Sequence, residues 1–192
     1  MVLATVMVLA VVAVVIFAVG ALFVVGFNKL RSADVSAQEA LGGIDVQLTR
    51  RADLIPNLVT TVKGYAAHEK SVLEAVTAAR TSVSKATASG TVGEKAAADA
   101  QLDKAVIDVL AVAENYPDLK ASANFLDLQR QLADTENQLS FARQYYNDAV
   151  ATLNKLVVTI PWLLFAGIAG VREREFYRAP SDQQQGPPPI SF

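Results

Sequence analysis

"FLDLQRQLADTENQLSFARQYYNDAVATLNKLVVTI", residues 125–160, places Phe125, Leu128, Leu132, Thr135, Leu139, Ala142, Tyr146, Ala149, Leu153, Leu156 and Ile160 at alternating steps of three and four. Only Thr135 among them is polar. This spacing keeps every rung on one face of a helix, in the manner of a coiled-coil seam. A lone helix cannot cover such a stripe, so the segment predicts helical neighbours. Glu136, Ser140, Arg143, Asn147 and Asn154 form a second, polar stripe beside the seam, placed to face a neighbouring helix. Polar groups buried there must be paired.

Three further segments share the helical period, and no run alternates as a half-buried strand does. Leu30, Ala33, Ala37, Leu41, Ile44 and Leu48 mark the first, over about 28–51; Leu58, Val62, Tyr65, Val72, Val76, Ala79, Val83 and Ala86 mark the second, over about 53–88. The third, about 94–115, is alanine-rich and carries Leu102, Val106, Val109 and Val112. Its small side chains let another helix approach closely.

The connections carry start and stop signals. In "SGTVGEK" (89–95), Thr91 with Glu94 three residues on predicts a capping box. In "NYPDLK" (115–120), Tyr116 before a proline is steered away from helical geometry, and Asp118 is a candidate cap for the last helix. In "RRADLIPNL" (50–58), Asp53 reads as the N-cap of the second helix, with Pro56 in its first turn, where a missing N–H costs little. Arg50 and Arg51 then fall in the last turn of the first helix, where cations suit exposed carbonyls. Four stripes with short connections predict an all-α fold, an antiparallel up-and-down four-helix bundle over residues 28–160.

The chain has 192 residues, 52% of them hydrophobic, and the excess is concentrated at one end. From Val2 to Phe27 it runs without a charge, longer than the ~20 apolar residues that cross a bilayer core as a helix. A cleaved signal peptide predicts a basic leader and a small-x-small cleavage site, neither of which is evident, so residues 1–27 read as a retained transmembrane anchor. Lys29 and Arg31 follow it closely, and the positive-inside rule puts that side in the cytoplasm. In an up-and-down bundle the fourth helix returns to the membrane. It delivers residues 161–178, an apolar membrane-proximal segment, and with it Ile160, Trp162, Leu163, Leu164 and Phe165, to the bilayer surface or to neighbouring protomers. Residues 179–192, rich in Pro and Gln, read as a flexible tail.

"RRADLIPNLV" (50–59), "VKGYAAHE" (62–69), "YPDLK" (116–120) and the pair "TEN" (135–137) and "YYN" (145–147) resemble the LemA family of bacterial membrane proteins, and the likeness covers most of residues 28–192. The resemblance implies a single N-terminal anchor in the bacterial cell membrane followed by a four-helix bundle, in a family with no established enzymatic activity or agreed ligand. A magnetosome-associated branch implies a role in membrane organisation.

Candidate chemistry is sparse. Seventeen basic residues against nineteen acidic give a net charge of −2, without a broad positive field for nucleic acid. Absence of cysteine excludes disulfides, thiol nucleophiles and cysteine-ligated metals. His68 is the one histidine and, with Glu69, falls on the seam of the second helix; a di-metal carboxylate bundle needs Glu-x-x-His pairs on two helices, so it reads as structural. No catalytic residue, cofactor or metal site is expected. Arg50, Arg51, Asp53, Asn57, His68, Glu69, Glu136, Arg143 and Asn147 read either as a polar network that sets helix register or as a groove for a partner protein. The lipid bilayer is the expected partner, with further copies of the chain, or an unidentified membrane or cytoplasmic protein, beside it. These features predict a non-enzymatic, single-pass scaffold or assembly module, alternatively a tethered regulator that holds a partner enzyme or signalling protein.

Overall fold

The uncharged run does not end its helix at the first charge. In the computed structural model, which describes residues 1–178, α1 extends from Val2 to Lys63, 62 residues without a break. The tail at 179–192 lies outside the described residues. α2 (Lys70–Ser89), α3 (Val92–Ala113), the single turn α4 (Pro117–Lys120), α5 (Ala123–Val158) and α6 (Leu163–Ala169) follow. Among the described residues there is no strand, so the chain is all-α, and α1 contains the one stretch long and apolar enough by itself to cross a membrane.

The break expected at Asp53 is absent. Asp53, Arg50 and Arg51 are all interior to α1, and Pro56 lies inside the helix. A proline has no N–H to donate to the carbonyl four residues back, here Ala52. Arg80 of α2 supplies the replacement: its Nε donates to the Ala52 oxygen at 3.1 Å. A side chain distant in sequence thus lets α1 pass through a residue that otherwise breaks helices. The interruption falls instead at Gly64–Glu69, where three-residue turn bonds such as Tyr65 N–H to the Val62 oxygen (3.0 Å) and Glu69 N–H to the Ala66 oxygen (3.1 Å) replace the helical ladder.

The Thr91–Glu94 capping box forms, with Glu94 N–H donating to Thr91 Oγ1 (3.2 Å) and Thr91 N–H to Glu94 Oε2 (2.7 Å). The Thr91 N–H, bonded to the ionised form, holds the Glu94 carboxyl below its ordinary value. Asp118, expected to cap the last long helix, lies instead in the first turn of α4, and α5 begins only at Ala123.

The chain divides into two units. Met1–Glu39 with Asp148–Arg174 forms one, and Ala40–Asn147 with the described residues 175–178 belongs to the other. In the second unit the stripes close on an apolar interior that includes Ile44, Leu48, Ile55 and Leu58 of α1, Val76 and Val83 of α2, Leu102 and Val109 of α3, and Phe125, Leu139 and Tyr146 of α5. Thr135, the polar rung, is buried with its hydroxyl bonded back to the carbonyls of Gln131 (2.7 Å) and Leu132 (2.9 Å), so nothing is left unpaired. In the first unit Leu30 and Ala37 of α1 and Leu153 and Leu156 of α5 are buried. Ile160 is 79% exposed, and the seam stops at Leu156 because α5 ends at Val158.

Candidate functional site

The polar stripe of α5 meets charges from two other helices. Asp99 of α3, 2% exposed, accepts from Arg143 Nη2 at 2.5 Å and from the Tyr177 hydroxyl at 2.8 Å, both on Oδ2. Arg51 of α1, 5% exposed, lies 3.7 Å from the other Asp99 oxygen, bonds Glu136 Oε2 at 2.7 Å and is paired with Asp103. Arg143 closes the ring on Glu136 Oε1 at 3.2 Å, with its guanidinium carbon 5.9 Å from the centre of the Tyr177 ring.

Two guanidiniums face three carboxylates, and the electrostatics follow from that excess. Burial raises the Asp99 carboxyl above its ordinary value despite Arg143, and burial likewise raises Glu136. Burial opposes the Arg143 charge, but Asp99 and Glu136 outweigh it and raise its pKa. Burial, with Asp99 beside it, pushes the Tyr177 phenol far above its ordinary range, so it remains a hydrogen-bond donor. Arg51 Nε, Arg143 Nε and Asp99 Oδ1 make no hydrogen bond. This arrangement orients charge and fixes helices. Among the described residues, no three histidines or acids are disposed to hold a metal ion.

Residues 40–192 match the LemA family. The chain belongs to the LemA family. It is also similar to Magnetosome protein MamQ 2 and MamQ 1 of Paramagnetospirillum magneticum, each 25% identical over 90% of this chain and 71% of the relative. Magnetosome protein MamQ of Magnetospirillum gryphiswaldense is 23% identical, over 79% of this chain and 64% of its own length.

Two LemA-like motifs converge on the cluster, Arg51 from "RRADLIPNLV" and Glu136 from "TEN", with Arg143 joining them from the stretch before "YYN". The other anticipated residues lie elsewhere. Arg50 donates to Gln138 (3.3 Å), Asp53, Asn57 and His68 are exposed, and Glu69 accepts from the Tyr116 hydroxyl at 3.2 Å. Asn147 faces the C-terminal chain where a helix was expected: its amide donates to the Tyr177 oxygen (3.0 Å) and accepts the Tyr177 N–H (2.8 Å). Tyr146 adds a bond from its hydroxyl to the Glu175 oxygen, 2.8 Å. In the other unit Asn154 reads the backbone of Arg174 in the same two-handed way, at 2.9 Å each, and Arg174 Nε donates to Asp34 of α1.

Asp99, Asp103 and Tyr177 were not anticipated, nor was the pairing of buried Lys95 with half-buried Asp45 at 2.5 Å. A signal existed for two of them. Stepping back from Leu102 by three and then four reaches Asp99 and Lys95, so both occupy the apolar stripe of α3. A charge on such a stripe has to meet a partner.

Proposed function

We propose that this LemA-family chain is a membrane-anchored, non-catalytic scaffold. Its long helical segments pack as an antiparallel up-and-down four-helix bundle on the cytoplasmic side of the bacterial membrane, and the bundle assembles laterally with copies of itself. The observation that carries the reading is α1. Its apolar run continues without a break into the helix that bears Arg51 and the core residues Ile44, Leu48 and Leu58. One helix thus supplies both the apolar run and part of the apolar interior. Similarity to magnetosome proteins supports membrane association, and charged motif residues engaged with one another support a binding role over a chemical one.

Lateral contact has a candidate surface in Phe141 and Tyr145, which lie four residues apart on α5 and are 72% and 65% exposed. Size analysis of the full chain in mild detergent is expected to give a homo-oligomer that Phe141→Ser with Tyr145→Ser reduces. A wild-type monomer that travels with a different protein overturns assembly in favour of the tethered regulator.

A further inference from the structure

Residues 156–171 hold no charge, and the structure turns their side chains the wrong way for water. Ile160, Leu163, Leu164 and Ile168 are 79, 48, 68 and 65% exposed, while the small Ala166 and Ala169 are buried. Large apolar groups outside and small ones inside invert the order of a water-soluble element. The chain bends by 107° between α5 and α6 and so forms a short hairpin.

That hairpin abuts α1 where the uncharged run ends. The Phe165 ring meets Phe23 edge-on, with centroids 5.8 Å apart, and covers Gly26 so closely that a Cβ there would collide with it. Two residues beyond Phe27, the ammonium of Lys29 lies 4.5 Å from the centre of the Trp162 ring. Trp and Lys together mark the headgroup level of membrane proteins. The exposed apolar face is therefore continuous with the lipid-facing surface of the anchor.

Several of the backbone groups of the hairpin are paired within it, which lowers the cost of a hydrocarbon setting, where an unpaired polar group is expensive. Leu163 N–H bonds to the Thr159 oxygen (2.8 Å), Leu164 to Pro161 (3.2 Å), Phe165 to Trp162 (2.9 Å) and Val171 to Ala166 (3.1 Å). Pro161 has no N–H to satisfy, and the Thr159 hydroxyl bonds back to the Lys155 carbonyl at 2.7 Å.

We infer that residues 159–169 are a lipid-binding bracket: the hairpin is immersed among the acyl chains of the leaflet nearer Lys29, with Trp162 at the headgroup boundary, and it fixes the depth of the anchor beside it. This rests on the reading of α1 as a membrane anchor. The ligand is phospholipid acyl chain, and the basic residues flanking the hairpin, Lys155 and Arg172, face the headgroups.

Trp162 is the chain's only tryptophan, so its emission reports this position alone. The experiment uses the full chain in vesicles of phosphatidylcholine and phosphatidylglycerol, with phospholipids brominated near either the headgroup or the methyl end of the acyl chains. The expected result is blue-shifted emission that falls by about half with the shallow bromines, falls less with the deep ones, and resists aqueous iodide. Leu163→Asn with Leu164→Asn changes exposed side chains and is expected to restore iodide quenching while the chain still floats with the vesicles. Gly26→Val, which dislodges Phe165, is expected to weaken bromine quenching without loss of flotation. A chain that floats while Trp162 ignores bromine and is quenched by iodide overturns the bracket and leaves the anchor standing. Bromine protection that grows with protein-to-lipid ratio assigns the face to a second copy and also overturns it. Failure to float overturns both readings.

Discussion

Pro56 shows how much a single residue can ask of the rest of the chain. Its missing N–H leaves the Ala52 carbonyl for Arg80 to satisfy. Arg80→Ala is expected to lower stability by about 1–2 kcal/mol, the cost of an unpaired buried acceptor. In a Pro56→Ala background the helix regains its own donor and the same substitution should cost distinctly less. Denaturant unfolding of the four proteins, followed by circular dichroism in detergent, closes this double-mutant cycle, and equal costs in both backgrounds refute the account. Asp99 is the other decisive residue. Asp99→Ala takes a carboxylate from Arg143 and an acceptor from the Tyr177 hydroxyl, while Arg51 keeps Glu136 and Asp103 and Arg143 keeps Glu136; denaturant unfolding is expected to show a loss of about 1–3 kcal/mol.

The raised pKa values of Asp99 and Glu136 set a pH dependence opposite to that of an ordinary salt-bridged acid. Both bind a proton more tightly in the folded chain than in the unfolded one. Their contribution to stability is therefore complete below the ordinary values of 3.8 and 4.5 and is lost as pH climbs through the raised folded values. Melting temperatures across a pH series should show this, with Asp99→Asn, which mimics the protonated acid, flattening the slope. An unchanged slope in that variant assigns the effect elsewhere.

At the scale of elements, α5 serves two masters. Its seam closes the apolar interior, and Asn147 on the adjoining face grips the backbone of Tyr177 with both ends of its amide. Asn147→Ala removes both bonds, at about 0.5–1.5 kcal/mol each. The Tyr177 amide is then expected to exchange hydrogen faster, while amides in the middle of α5 keep their protection; uniform loss of protection would mean that Asn147 supports the helix itself. Such a contact was hidden from periodicity because an asparagine that reads backbone places no demand on the partner's side chain. The residues from Val171 to Arg178 lack any period of their own. The Thr91–Glu94 box was visible because both partners lie within one turn. The Asp53 cap was misread because local rules place a proline in a first turn, and nothing local announces Arg80.

For the whole molecule, α1 carries both the apolar run of the first 27 residues and core residues such as Ile44 and Leu48 in one helix. The proposed cytoplasmic orientation has a direct check, since the chain has no native cysteine to confuse labelling. Ser89→Cys, at the exposed end of α2, should react with a membrane-impermeant maleimide only after cells are opened. Labelling of intact cells would place the head on the other side.

Helical class, the long apolar N-terminal helix, the capping box and the seam of α5 could be read from the chain alone, because periodicity, hydropathy and capping are rules over neighbours a few residues apart. Which helices were one helix, and which charges met, could not. Arg80 bonding the Ala52 carbonyl that Pro56 leaves free, Asp99 holding Arg143 and Tyr177, and Phe165 seated on Gly26 join residues 28, 44, 78 and 139 positions apart. Hydrogen bonding and packing act through space, and only the folded chain supplies those distances.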